Sequence, residues 1–189
     1  MIKGLVLAGG KSSRFGKDKA LALYEGTSLL ERAVDLLERM SLQPVVVTRG
    51  GAEYSFLKAP VVQDKLPEKG PLGGLYTAMS GFNGTDFLVL TCDMPLLNAP
   101  LLSALLSAYS DHRQTTVFRM GDGAIQPFPG IYTAGIFSLV QERVFRGELS
   151  LQGLLDNIFP KQVIDWQGQP HLFANVNRRE DLESLSGRR

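Results

Sequence analysis

The feature that constrains this chain most is a recurrence of short apolar runs rich in Val, Ile and Leu: IKGLVLA at 2–8, PVVVT at 44–48, APVVQ at 59–63 and DFLVLTC at 86–92. None alternates strictly between apolar and polar, so each reads as a strand covered on both faces, with helical segments between them. A β/α alternation of this kind predicts an α/β fold, a three-layer α/β/α sandwich around a Rossmann-like, mostly parallel sheet. The first helix has the clearest start. In SLLERAVDLLERM, Ser28 with Glu31 three residues later forms a capping box, and Leu29, Ala33, Leu36, Leu37 and Met40 fall near one face that should pack on the sheet.

After Asp93 the regularity weakens. LLSALLSAYS (101–110) reads as a helix, TTVFRM (115–120) and PGIYTA (129–134) as strands, and 136–146 and 150–159 as helices again. The final helix is expected to begin after Asn177, whose side chain can cap it while Glu180 completes a second box. There is no internal repeat, low-complexity tract or linker, and 189 residues suit one compact domain spanning 1–189.

Composition narrows the function classes. Twenty Lys+Arg against nineteen Asp+Glu leave a formal charge of +1, which gives no field of the kind that draws a whole protein onto nucleic acid. A single cysteine, Cys92, excludes an internal disulfide framework, and the start lacks a signal-peptide pattern; the expected setting is the cytoplasm. No apolar stretch approaches the ~18 residues of a membrane span. With only His112 and His171 present, and neither spaced for a Cys-His arrangement, Cys92 reads as a buried strand cysteine rather than a nucleophile, and zinc ligation has no paired spacing.

The segment LAGGKSSRFGKDK (7–19) follows the first strand directly, which places it at a carboxyl end of the sheet, where open α/β sheets bind ligands. Gly9 and Gly10 allow close backbone approach to an anion, while Arg14, Lys17 and Lys19 bring positive charge. It is neither a P-loop nor a dinucleotide fingerprint: five residues instead of four separate Gly10 from Gly16-Lys17, Asp18 replaces the Ser/Thr, and no G-x-G-x-x-G is present. A solvated Gly-rich turn with ordinary surface charge is the bland alternative. Two aspartates end further strands. Asp93, stopped by Met94-Pro95, suits Mg²⁺ beside phosphates, a role to be weighed against turn former or helix cap; Asp64 precedes KLPEKGPLGGLYTAM, in which Pro71 suits a first helical turn.

Taken together, LAGGKSSRFGKDKAL with its LAGG, Arg14, Gly16 and Asp18-Lys19 resembles the signature loop of the nucleotidyltransferases and, in close detail, that of the molybdenum cofactor guanylyltransferases. The resemblance implies the fold of the nucleotide-diphospho-sugar transferases. It also implies that Leu7, Ala8, Gly9, Gly10 and Lys19 hold the guanine nucleotide, with Arg14 near its phosphates. TCDMP resembles the family's CD-x-P element, which assigns the magnesium to Asp93, and D-x5-GPLGGL resembles its D…GPLAGL element, which brings Asp64 into the nucleotide site; Gly73 stands where Ala is more usual. QPFPGIY and FANVNRREDL resemble the elements that shape the pterin side, which implies acceptor contacts at Gln126, Pro127, Asn175 and Asn177. Two departures are Arg178-Arg179 in place of Thr-Pro and Thr48 in place of a frequent Asn, whose role is left open.

The reaction so implied joins GMP from GTP to the molybdenum–molybdopterin cofactor and releases pyrophosphate, with Arg14, Lys19 and Asp93 catalytic and Mg²⁺ as cofactor. It divides the chain into a nucleotide-binding half, about 1–98, and an acceptor-binding half, about 99–189. Partners are GTP, the molybdenum cofactor and further cofactor-biosynthesis proteins or molybdoenzyme chaperones, with neither nucleic acid nor membrane. Cytidylyl transfer to the same cofactor, transfer to a sugar or alcohol phosphate, and a non-catalytic GTP- or cofactor-binding adaptor stay open as alternatives.

Overall fold

The computed structural model describes residues 1–9, 18–50 and 54–186. In chain order its strands are β1 (Ile2–Leu7), β2 (Leu23–Tyr24), β3 (Thr27–Ser28), β4 (Pro44–Thr48), β5 (Val61–Gln63), β6 (Asp86–Thr91), β7 (Thr115–Arg119), β8 (Ile125–Tyr132) and β9 (Lys161–Asp165). The helices are α1 (Leu29–Arg39), α2 (Gly70–Gly81), α3 (Ala99–Ala108), α4 (Phe137–Arg146), α5 (Leu151–Asp156) and α6 (Arg179–Ser186). Strands β2 and β3 form a small hairpin; the other seven make one sheet in the order β5-β4-β1-β6-β8-β7-β9. Within it β8 runs antiparallel to both its neighbours, and the remaining contacts are parallel.

Strand alternation sets the layers. Gly4 and Leu7 point to opposite faces of β1. A Cβ at Gly4 would lie 2.7 Å from Leu37 of α1, and one at Gly74 of α2 would lie 2.9 Å from Leu7, so α1 and α2 cover opposite faces. α4 packs beside α2, α5 beside α4, and α3 lies on β7, β8 and β9. Between these layers Leu5, Val6, Val46, Phe87, Leu88, Val89 and Leu90 are fully buried, each contributing roughly 1.5–3 kcal/mol of apolar transfer. The capping box of α1 is present: Ser28 Oγ accepts from the Glu31 amide at 3.2 Å, and the Glu31 carboxylate accepts from the Ser28 amide at 3.1 Å.

Three sequence expectations shift. Strand β8 spans 125–132 rather than 129–134, because its register slips between Val117 and Phe118: Val117 pairs with Gly130 and Phe118 with Gln126. Residues 127–129 bulge out of that ladder, so neither Pro127 nor Pro129 has to donate to β7. Strand β9 is additional to the strands the sequence predicts: KQVID carries only two apolar residues and lies at the sheet edge. The last helix starts at Arg179, and Asp181 supplies its cap: its carboxylate accepts from the Asn177 and Arg178 amides at 2.6 and 2.8 Å. Asn177 is therefore not the capping side chain, and Glu180 does not complete a box.

Candidate functional site

Because β5, β4, β1 and β6 are parallel, the residues that follow them emerge along one edge: Asp64, Arg49, Ala8-Gly9 and Cys92-Asp93. A cleft of about 410 Å³ opens there, bordered by Leu7, Ala8, Gly9, Lys19, Asp64 and Asp93 and by Glu68, Gly70 and Pro71. The sequence is thus right that loops distant along the chain meet at a sheet edge.

Lys19 and Asp93, seventy-four positions apart, form an ion pair at 2.9 Å between Nζ and Oδ2, with side chains 17 % and 24 % exposed. Lys19 sits in a short 3-10 turn, Lys19–Leu21, whose cap is Asp18; Asp18 Oδ1 accepts from the Ala20 amide at 3.0 Å, and the Tyr54 hydroxyl donates to Oδ2. The ammonium thus projects from an anchored base. Its Nζ also donates to Asn177 Oδ1 at 3.3 Å, and the Val176 amide donates to the Asp93 carbonyl at 2.8 Å. The chain's last segment is in this way stitched to the site.

Asp93 Oδ1 is buried and has no hydrogen-bond partner among the described residues. A carboxylate oxygen in that state is costly unless something electropositive meets it. No group of three or more His, Cys, Asp or Glu side chains gathers among the described residues. A hard divalent cation that takes one carboxylate and completes its shell with phosphate oxygens and water fits this donor set; a protein-caged metal does not.

Asp64 borders the cleft, yet its Oδ1 is already filled by the Leu66 amide at 2.9 Å and the Thr77 hydroxyl at 2.8 Å, so it also fixes the turn into α2. Thr48 is fully buried, and its hydroxyl donates to the Gly50 carbonyl instead of lining the cleft. Gln126 and Pro127 lie beyond the end of β6, on the same sheet edge as Asp93, but neither they nor Asn175 are among the cleft's described lining residues. Gly10 and Arg14 lie outside the described residues. Cys92 is buried, and that burial, reinforced by Asp93, pushes its thiol up to about 12, which leaves it protonated and unreactive near neutrality.

Arg49, at the same edge, carries no motif that marks it in the sequence. Arg49 Nε donates to the Gly9 carbonyl at 2.9 Å and Nη2 to the Pro67 carbonyl at 2.8 Å. Its position just past PVVVT, at a strand end, was the available signal.

Residues 4–163 match the family described as MobA-like NTP transferase domain. The chain belongs to this family. Across 96 % of this MobA-like chain and 94 % of the relative, it is 31 % identical to a protein of Flavobacterium johnsoniae named "Probable molybdenum cofactor guanylyltransferase". Over 58 % of this chain and 56 % of the other, it is 45 % identical to the "Molybdenum cofactor guanylyltransferase" of Xanthomonas euvesicatoria pv. vesicatoria. The crystal structure of molybdopterin-guanine dinucleotide biosynthesis protein A from Archaeoglobus fulgidus superposes with a TM-score of 0.78 over 96 % of this chain and 95 % of that one; at 19 % identity it speaks for the fold. No described helix of the MobA-like chain is long and apolar enough to cross a membrane.

Proposed function

We propose that this chain transfers GMP from GTP to the molybdenum–molybdopterin cofactor, forming its guanine dinucleotide and releasing pyrophosphate. The observation that carries the reading is the meeting of Lys19 and the half-satisfied Asp93 carboxylate beside a Gly-lined strand end. Its support is a relative named for this reaction that matches nearly the whole chain. In the reaction an oxygen of the acceptor's phosphate forms a bond to the α-phosphorus of GTP, while the bond from that phosphorus to the bridging oxygen breaks and pyrophosphate leaves. The acceptor oxygen is already ionised, so orientation and charge neutralisation are required rather than a strong base.

Each part of the site takes one of these tasks. The backbone of Leu7, Ala8, Gly9 and Gly10 grips the nucleotide, and Asp64 holds the turn into α2 while bordering the same cleft. Lys19 and Arg14 neutralise the transferring and leaving phosphates. Asp93 would hold a divalent cation, read as Mg²⁺, which when bound supplies Lewis-acid stabilisation of phosphate charge. Residues 1–98 form the nucleotide half and 99–189 the acceptor half, with Gln126, Pro127 and Asn175 toward the acceptor and Asn177 at the junction. Cytoplasmic GTP and molybdenum cofactor are the partners, along with the proteins that deliver or receive the cofactor.

Pyrophosphate release tests the reading directly, with molybdenum cofactor and either GTP or CTP. Release with GTP and not CTP is expected. Release only with CTP would replace guanylyl by cytidylyl transfer, and nucleotide binding with no release under any acceptor would make the chain an adaptor.

A further inference from the structure

Strand β4 lies between β5 and β1, so the residue that follows it can reach the loops after both neighbours. Arg49 does so. Its Nε donates to the Gly9 carbonyl at the end of β1, and its Nη2 donates to the Pro67 carbonyl in the 3-10 turn Pro67–Lys69 that leads from β5 into α2. The side-chain stem lies against Gly9, where a Cβ would stand 3.8 Å from Arg49 Cγ, and the head lies 3.8 Å from the Glu68 carboxylate. Gly9, Arg49 and Glu68 all line the cleft.

We infer that Arg49 is a positioning residue: its guanidinium bolts Gly9, at the end of β1, to the turn before α2 and so fixes the shape of the cleft that receives the nucleotide. The inference rests on the nucleotidyltransferase reading above. A planar guanidinium holds two N–H vectors at a set angle and spacing, so it can bridge two carbonyls that belong to different loops. A lysine in its place keeps the charge but has no such fork. The turn before α2 is fixed from the helix side as well. A Cβ at Gly73 would stand 2.4 Å from the Leu66 carbonyl oxygen and 3.0 Å from Lys69 Cβ, so the turn bearing Pro67 is seated directly on the first turn of α2. Gly73 is thus required by this turn's close seating. Gly73, the Leu66–Lys69 turn, Arg49 and Gly9 form one continuous brace.

The test compares wild type, Arg49→Lys, Arg49→Ala and Gly73→Ala in direct binding of GTP, CTP and ATP with Mg²⁺, and in steady-state turnover. Arg49→Lys should weaken the dissociation constant and the KM for the bound nucleotide by about tenfold or more, as loss of a charge-assisted hydrogen bond implies, while kcat at saturation stays within about threefold. Gly73→Ala should weaken binding in the same sense, and its combination with Arg49→Lys should fall short of the product of the single effects because both act on one turn. Wild-type affinity in Arg49→Lys would overturn the inference. A fall in kcat at unchanged KM would place Arg49 on the reacting phosphates instead and overturn it as well. Binding of CTP rather than GTP by the wild type would sink the guanylyl reading alone, and the positioning role would then be judged on CTP affinity in the same variants.

Discussion

Asp93 has two oxygens in different circumstances, and that asymmetry governs what substitutions there should do. Oδ2 meets Lys19, whereas Oδ1 is buried without a described partner. Asp93→Ala removes both functions from a side chain outside the main core, so turnover should fall by roughly 10²-fold or more while the melting temperature changes by only a few degrees. Pyrophosphate release and a thermal melt on one preparation check this; near-normal turnover would remove Asp93 from the metal role. Lys19→Ala should raise the KM for GTP and lower kcat, and the Lys19→Ala/Asp93→Ala pair should be far from additive because the two side chains touch. Cys92 gives an independent residue-scale check. A buried thiol pushed up to about 12 should resist a disulfide reagent at about pH 8 in the native protein and react as soon as the chain is unfolded.

At the scale of elements, the two ends of the chain use the same device from different residues. α1 carries a capping box legible in its sequence, and Ser28→Ala should cost about 1 kcal/mol, or roughly 2–4 °C in melting temperature for a chain of this size. α6 is held by Asp181, whose carboxyl lies below its ordinary value of 3.8 because the Asn177 amide, then the Arg178 amide, donates to it. The depressed value means that the folded state prefers the charged form. The contribution is therefore complete above 3.8 and is lost as pH falls through the lower folded value. Amide exchange in α6 measured from about pH 5 down to about pH 2 should show this loosening, and Asp181→Asn should make exchange there nearly independent of pH beyond its intrinsic chemistry.

The whole molecule returns its last segment to its first loop. Val176 is fully buried in a small cluster with Tyr24, Leu29 and Leu182, its amide bonds the Asp93 carbonyl, and Asn177 bonds Lys19. A chain ended after residue 174 should therefore lose turnover at least as completely as Lys19→Ala and also melt several degrees lower, a combination that Lys19→Ala alone should not show. Loss of stability with turnover intact would mean that the tail serves packing only. In the other direction, GTP with Mg²⁺ at about 100 times its dissociation constant should stabilise the intact protein by about 2.7 kcal/mol, read as an upward shift of the melt.

Taken by itself, the sequence determined the β/α alternation of the first half, the buried character of β1, β4 and β6, the start of α1, and the strand-end loops that carry Gly9, Lys19, Asp64 and Asp93. These are local properties: apolar runs, capping spacing and residues that stop a strand write themselves into neighbouring positions. Only the tertiary structure decided which oxygen of Asp93 is taken and which is open, that Asn177 turns to Lys19 while Asp181 caps α6, that residues 127–129 bulge, and that KQVID pairs as a strand. It also decided the role of Arg49, whose partners lie forty positions before it and eighteen after it. A hydrogen bond between loops that meet only through the strand order of a sheet leaves no periodicity in the chain, and so the Arg49 brace could be found only where the loops come together.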